Sequence, residues 1–356
     1  MDHLLPSSLK HLLRKGPAIH KGWHKKPFLN STAARYSTVV IASAVCGFIL
    51  AYLPVLYAEK PPIIPLASTI QQQPKKEVYV APAQTNPLFA TRPSWSQDFT
   101  GRTSGLLDSS YWNVLVGPAE NSNKEQQYYT GDLANLRIEN GALRLIATYS
   151  PQPAGYKYGS ARIETQGKQS FLYGRIDITA KIPEGVGTWP AVWLLPDNNV
   201  YADKSPASEP LRYKNGGELD VIESIGSQHG LNYGVAHTLS DLALRSDGTG
   251  SHGTMMVPHA STDFNRYTLL WTPTSVTFAV NDRAYYTYER KSGADYKTWP
   301  FDQPFYLIAN LAMGGTWGGM DTAHYPDNGI DNSALPASLD IRSIHYYPYI
   351  GSMDVK

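Results

Sequence analysis

Short runs of alternating apolar and polar residues recur from Trp95 to the C-terminus, and turn-forming residues separate them. Residues 175–182 alternate cleanly, which is typical of a strand with one solvated face. Asn140-Gly141 is a hairpin turn signal between two apolar arms. In this part of the chain we find no convincing helical period over ten residues. The pattern therefore predicts an all-β fold, a sandwich of two antiparallel sheets.

The strand-like run at 218–223, Glu-Leu-Asp-Val-Ile-Glu, carries three carboxylates among apolar residues. Acids are rarely placed inside an apolar strand unless they face a wet cleft. Regular alternation puts Glu218 and Asp220 on one face and leaves Glu223 on the other. A bulge near Val221 would bring Glu223 back to their side. The run predicts either a solvated acidic strand or two glutamates that approach the roughly 5–5.5 Å separation of a retaining glycosidase.

The N-terminal segment has a different pattern from the rest of the chain. Residues 1–36 hold seven Lys or Arg and one acid, and no charged residue occurs at 39–58. An apolar run of that length can cross a bilayer as a helix, and its basic flank stays in the cytoplasm. We therefore expect a basic cytoplasmic tail at 1–36, an N-terminal transmembrane helix as an anchor at 37–58, and an extracytoplasmic remainder. A signal peptide cleaved near Ala58, giving a secreted protein, is the alternative.

Composition completes this organisation. Seven prolines at 59–93 predict an extended linker, which leaves 94–350 for one globular domain. The single cysteine, Cys46, falls inside the predicted anchor, so we expect an exported domain without disulfides. The basic residues precede an apolar span, which favours a membrane over nucleic acid as the partner. We expect a monomer.

Several ordered motifs give the chain a resemblance to glycoside hydrolase family 16, the β-jelly-roll endoglycanases. The bulged branch of that family carries Glu-x-Asp-x-x-Glu, which residues 218–223 match. Asn265 stands where the family usually has His. Further matches in the same order lie at residues 158–163, 171–196, 263–273, 310–319 and 340–344. The resemblance implies a β-jelly roll at 94–350, similar to the laminarinase branch.

The resemblance also implies roles for the three acids. Glu218 is expected to be the nucleophile and Glu223 the acid/base, with Asp220 between them helping to keep one carboxyl ionised and the other protonated. The implied activity is retaining endo-hydrolysis of β-1,3-glucan of the laminarin type. A transglycosylase, or a hydrolase of mixed-linkage glucan, agarose or carrageenan, is an open alternative. A noncatalytic β-glucan-binding protein is a third, which the retention of both glutamates disfavours.

Other residues acquire expected roles in holding substrate. Trp189 and Trp317 are expected to stack on sugar rings, although packing in the core is the alternative. Lys124 interrupts the family element at 123–129, which weakens the match at its first residue. The remaining expected substrate-binding residues, each with a structural role as its alternative, are Arg162, His237, Asn123, Glu125 and Tyr129.

Family members often bind one structural calcium away from the catalytic cleft. Asp340 matches the acid that ligates it, and Gly141 is placed to offer a carbonyl oxygen, a ligand type that suits Ca²⁺. An ordinary surface aspartate is the alternative. The proposed hydrolysis itself needs no cofactor.

Overall fold

The computed structural model describes residues 88–119, 123–204, 215–244, 250–319, 324 and 329–352. The predicted tail, the predicted anchor and all but the last residues of the predicted linker lie outside these ranges. Within them, no helix is long and apolar enough to span a bilayer. The described residues belong to one compact unit, Val78–Lys356.

Strands make up most of the described chain, as the alternating pattern predicts. In chain order they are β1 (Trp95–Asp98), β2 (Ser104–Gly105), β3 (Asn113–Val114), β4 (Gly117–Pro118), β5 (Gln127–Tyr129), β6 (Leu136–Glu139), β7 (Ala142–Tyr149), β8 (Tyr158–Ser160), β9 (Arg162–Glu164), β10 (Ser170–Phe171), β11 (Gly174–Lys181), β12 (Thr188–Pro196), β13 (Glu218–Glu223), β14 (Leu231–His237), β15 (Ser251–Met256), β16 (Asn265–Trp271), β17 (Ser275–Val280), β18 (Arg283–Glu289), β19 (Phe305–Met313) and β20 (Ala337–Tyr347). Two short α-helices, α1 (Leu239–Leu244) and α2 (Gly315–Gly318), and 3-10 turns at Pro153–Gly155, Ala202–Lys204 and Asn332–Ala334 connect them.

The strands form two sheets. The eight-stranded sheet has the order β15-β14-β13-β12-β19-β9-β3, with β10 beside β19. The twelve-stranded sheet has the order β18-β17-β16-β11-β20-β7-β8-β5-β4, with β1 beside β20, β6 beside β7 and β2 beside β6. The two-sheet sandwich is confirmed.

The core lies between the two sheets and contains side chains from both. Leu219 and Val192 of the eight-stranded sheet and Ile178 and Leu269 of the twelve-stranded sheet are fully buried in one cluster. One detail differs from the expected purely antiparallel pairing, because β5 runs parallel to β8. The residue pattern identifies strands, but it does not give the direction of two strands that are distant in the chain.

Strand β13 lies inside the eight-stranded sheet and carries the predicted bulge. Its pairing with β12 joins Glu223 to Ala191 and Ile222 to Val192, and then steps to Asp220 opposite Trp193. Val221 is therefore the extra residue, and the prediction of a bulge at this point is confirmed. The step lets Val221 and Ile222 both reach the core, where they are 2% and 0% exposed.

The start and end of the described domain pair with each other in the twelve-stranded sheet. Phe89 forms an isolated antiparallel bridge with Tyr349, and β1 pairs with β20 over its full length. Phe89 is buried. The backbone of Leu88 also accepts a hydrogen bond from the N–H of Ile350. The first and last segments of the described domain are thus held together by backbone pairing.

Candidate active site

The bulge places three carboxylates on the side of β13 that faces away from the core. Glu218 and Glu223 are partly exposed at the two ends of the strand. Asp220, between them, is only 2% exposed. Leu219, on the opposite side, is fully buried. The structure thus brings the three acids predicted from the sequence onto one face.

His237 lies opposite this acidic row on the neighbouring strand β14, where it is paired in register with Glu218. Its Nε2 atom is 3.2 Å from Oδ2 of Asp220 and 3.8 Å from Oε1 of Glu218. Burial alone would lower the pKa of His237, but the contact with Asp220 and the charge of Glu218 outweigh it and raise the pKa to about 9. His237 is therefore a cation at neutral pH.

Ligand atoms of Glu218, Asp220 and His237 all lie within 4.8 Å of one another, a spacing that a metal ion could bridge. The protonated imidazole already supplies positive charge at this point. A metal ion here would have to displace the imidazolium proton before it could bind the ring nitrogen. The arrangement also suits an internal ion pair between His237 and the two acids.

Glu223 has the opposite character to an ionised acid. Burial raises its pKa to about 8, and the negative charges of Asp220 and Glu218 contribute in the same direction. His237 and a hydrogen bond from Trp189 oppose this rise. Nε1 of Trp189 donates to Oε1 of Glu223 at 3.2 Å. Burial and these charges thus favour the protonated form of Glu223, and the indole of Trp189 orients its carboxyl.

Aromatic rings form a rim next to Glu223. Trp189 packs edge-on against Trp317, with ring centroids 5.3 Å apart, and Trp317 packs edge-on against Tyr233 at 5.0 Å. Trp317 lies on α2, which begins directly after Gly314. A Cβ on Gly318 would lie 3.3 Å from Cβ of Trp189, so the glycine lets this helix approach the strand closely. The structure therefore brings the two predicted tryptophans together, and both are partly exposed.

The floor of the site extends from β12 across β19 to β9. Trp193 donates from Nε1 to Oδ1 of Asn310 at 2.7 Å. The guanidinium of Arg162 lies 5.3 Å from the centre of the Trp193 ring and 3.7 Å from the carboxylate of Glu164. Arg162 is 9% exposed. It therefore lines the same sheet as the acids, three strands away from Glu223.

The predicted element at 123–129 lies beside the start of α2. Glu125 forms an isolated bridge with Gly314. Its carboxylate accepts from Nε2 of Gln127 at 2.6 Å and from Nδ2 of Asn123 at 3.3 Å. Tyr129 is buried, and burial together with the charge of Glu125 raises its pKa. Tyr129 is thus a buried, neutral phenol. Asn123 and Glu125 lie beside the start of α2, the helix that carries Trp317.

The predicted calcium ligands are expected away from the catalytic cleft, and Asp340 lies on the other sheet, where its surroundings do not fit a calcium ion. Asp340 is on β20 of the twelve-stranded sheet, where it accepts from Nε of Arg144 at 3.0 Å and lies 3.5 Å from Nζ of Lys181. Ser338 donates to the same carboxylate. Two cations already neutralise this acid and would repel Ca²⁺. Gly141 lies in the β6–β7 turn with φ of +76°. A Cβ at this position would lie 2.9 Å from the backbone carbonyl oxygen of Thr100.

Comparisons with known proteins agree with this architecture. The profile of "Glycosyl hydrolases family 16" matches residues 119–327. The chain belongs to glycosyl hydrolase family 16. A beta-glucanase of Rhodothermus marinus is 39% identical over 261 residues, which cover 72% of this chain and 85% of that protein. The family assignment makes the chain a glycoside hydrolase.

A solved structure and a further curated protein are also similar to this family 16 member. The laminarinase of Rhodothermus marinus, known from an X-ray structure, superposes with a TM-score of 0.65 at 38% identity, covering 74% of this chain and all of that one. A keratan-sulfate endo-1,4-beta-galactosidase of Sphingobacterium multivorum is 31% identical over 79% of this chain and 62% of its own length. The resemblance to family 16 and the jelly-roll prediction are therefore confirmed.

Two residues of this site were missed in the sequence. Tyr233 shares the face of His237, because the two are four residues apart on one strand, so alternation alone could have identified it. Asn310 is 7% exposed in a strand that is buried throughout. A lone polar residue in such a strand is a signal for a specific hydrogen bond, here the one from Trp193.

Proposed function

We propose that the chain is a retaining endo-β-1,3-glucanase that cleaves laminarin-type glucan by double displacement. The observation that carries the proposal is the register step at Val221, which places Glu218 and Glu223 on one face of β13. The imidazolium 3.8 Å from Glu218 and the raised pKa of Glu223 support distinct roles, one as an anion and one as an acid.

In the first step, the Glu218 carboxylate attacks the anomeric carbon and the glycosidic C–O bond breaks. Glu223 transfers its proton to the departing oxygen, so that the leaving sugar is released as a neutral alcohol. The products of this step are a glycosyl ester on Glu218 and an ionised Glu223. Trp189 remains placed to donate to that carboxylate.

In the second step, Glu223 accepts a proton from water as the water oxygen attacks the anomeric carbon. The ester bond to Glu218 breaks, the sugar is released with its original configuration, and both glutamates return to their starting states. Attack by a sugar hydroxyl in place of water gives transglycosylation with the same residues.

Asp220 and His237 support this cycle as an ion pair beside the glutamates. The imidazolium 3.8 Å from Glu218 favours its ionised form, as a nucleophile requires. The Asp220 charge favours the protonated form of Glu223, as a general acid requires. Trp189, Trp317 and Tyr233 offer aromatic faces on which sugar rings stack, next to Glu223.

A substrate panel tests the proposal. The full-length protein is incubated with laminarin, lichenan, agarose and xyloglucan, and new reducing ends are measured. We expect the highest rate on laminarin, with retention of anomeric configuration by NMR. Fastest cleavage of agarose, the galactan in this panel, would instead support a galactanase. The Sphingobacterium relative, named as a keratan-sulfate endo-1,4-beta-galactosidase, motivates this alternative. Binding of glucan without cleavage of any polymer would support a lectin-like function.

We also propose that residues 37–58 anchor the enzyme in a membrane with its catalytic domain outside the cytoplasm. The support is the uncharged run after a basic segment. Fractionation of cells that produce the full chain tests this location. Recovery in the membrane pellet, resistant to high salt and released by detergent, is expected. Recovery of a shortened chain in the medium would instead indicate cleavage near Ala58.

A further inference from the structure

The ladder between β13 and β14 ends within the catalytic strand. Backbone pairing joins Glu218 to His237, Leu219 to Ala236 and Asp220 to Val235, and it stops there. Strand β14 continues beyond this point, paired with β15 as far as Leu231 opposite Met256. The bulge at Val221 therefore leaves the last part of β13, including Glu223, without a continuous backbone partner on this side.

The side chain of Asn232 occupies this gap. Its Oδ1 atom accepts from the backbone N–H of Glu223 at 3.3 Å, and its Nδ2 atom donates to the backbone carbonyl of Val221 at 3.2 Å. The carbonyl of Val221 and the N–H of Glu223 face the same neighbouring strand. In a regular antiparallel ladder, two residues of that strand would satisfy them, one on each side of the residue opposite Ile222. The single amide of Asn232 thus takes the place of two backbone ladder bonds across the bulge.

The surroundings of Asn232 fix the orientation of this amide. Nδ2 also donates to the hydroxyl of Tyr285 at 3.1 Å and to the carbonyl of Tyr233 at 3.2 Å. If the amide were flipped, its oxygen would face the carbonyls of Val221 and Tyr233. Its NH₂ group would face the N–H of Glu223, so that donor would meet donor. Gly234 makes room for the Tyr285 hydroxyl, which lies 2.5 Å from where a Cβ would be. Asn232 itself is fully buried.

We propose that Asn232 is a positioning residue for the general acid. By bridging the bulge, its amide holds the backbone of Glu223 in position. This inference rests on the proposed roles of Glu218 and Glu223. Trp189 fixes the carboxyl end of Glu223, while Asn232 fixes the backbone from which that side chain extends. A general acid must lie within hydrogen-bond reach of the leaving oxygen, so a small backbone shift at Glu223 weakens proton transfer. Attack by Glu218, which lies on the regularly paired part of β13, is affected much less.

The test compares two substrates that differ in their need for an acid. One is a laminarin oligosaccharide, whose sugar leaving group must be protonated. The other is an aryl β-laminaribioside with a dinitrophenolate leaving group, which departs without a proton. For Asn232→Leu we expect kcat/KM to fall about 30- to 100-fold on the oligosaccharide and to stay within about threefold on the aryl substrate.

Asn135→Leu is the matched control. Asn135 is equally buried, and its Nδ2 donates to the carbonyl of Ile146 at 2.8 Å in the twelve-stranded sheet. Loss of its amide should lower the thermal unfolding midpoint and leave the ratio of the two kcat/KM values unchanged. An equal loss on both substrates in Asn232→Leu, or no loss on either, would overturn the positioning role. A wild-type protein that cleaves neither substrate would instead refute the proposed function.

Tyr285→Phe keeps the inference testable should Asn232→Leu fail to fold. This variant retains the amide and removes only the hydroxyl that supports it. We expect a two- to fivefold loss on the oligosaccharide and none on the aryl substrate. Identical ratios for Tyr285→Phe and wild type would count against Asn232 as the element that sets the position of Glu223.

Discussion

Charged residues serve different purposes on the two sheets. On the eight-stranded sheet, three carboxylates share one imidazolium, so negative charge is in excess beside Glu223. On the twelve-stranded sheet, Asp340 is matched by Arg144 and Lys181. Charge excess in a partly buried site raises the pKa of an acid, whereas charge balance holds acids ionised. The first arrangement favours chemistry, and the second favours stability.

Glu139 and Glu223 show this difference most directly. Hydrogen bonds from Arg144 and Arg137 lower the pKa of Glu139, which is solvated on the twelve-stranded sheet. Burial and neighbouring acids raise the pKa of Glu223. Two glutamates in one domain are thereby assigned to different protonation states by their neighbours. The comparison makes three predictions, which differ in the size of the expected effect.

The largest effect is expected from loss of the nucleophile. Glu218→Gln removes the attacking carboxylate, and kcat/KM on laminarin should fall by at least about 10⁴-fold. The measurement is the rate of new reducing ends, with the purified variant checked for an unchanged unfolding midpoint. Asp340→Asn, an acid changed on the other sheet, is the control and should retain wild-type kcat/KM. Comparable losses of kcat/KM in Glu218→Gln and Asp340→Asn would contradict the assignment of catalysis to the eight-stranded sheet alone.

An intermediate effect is expected on the pH profile. Glu223 must be protonated for the first step, so the alkaline limb of the kcat/KM profile should lie near pH 8, with activity lost as pH rises through it. The charge of His237 lowers the pKa of Glu223 and that of Asp220 raises it. His237→Gln should therefore move the alkaline limb up, and Asp220→Asn should move it down, each by about one pH unit. Movement of the alkaline limb in the same direction in both variants would contradict this electrostatic account.

The smallest effects are expected on the twelve-stranded sheet. Asp340→Asn should lower the free energy of unfolding by about 1–3 kcal/mol, because Arg144 and Ser338 lose a charged acceptor. Denaturant unfolding of the full-length protein measures this change. Addition of EDTA to the wild-type protein should leave the unfolding curve in place, since two cations surround Asp340. A clear destabilisation by EDTA, reversed by Ca²⁺, would restore the calcium prediction.

The sequence predicted the fold and the bulge because both depend on local alternation. Glu223 has the wrong parity relative to Glu218, while Ile222 next to it needs the core, and one extra residue satisfies both requirements. The partners of Asp340 could not be predicted in this way. Arg144 is 196 positions away in the chain, and only the register of β7 against β20 brings the two together.

Asn232 marks another limit of sequence reasoning. Its neighbours Leu231 and Tyr233 show that it lies on a strand, but its amide matters only because β14 leaves β13 at Asp220. That separation depends on three strands at once. Similarly, the parallel pairing of β5 and β8 follows from how the chain returns across the sheet rather than from either segment alone.

The bulge in β13 also implies that a strand one residue shorter could present the same three acids. Deletion of Val221 would leave Glu-Leu-Asp-Ile-Glu, in which all three acids share a face by simple alternation. Such a strand could pair with β14 along its whole length, and a side-chain amide at position 232 would have no open ladder groups left to satisfy. The six-residue form and its asparagine would therefore be expected to arise, or to disappear, together.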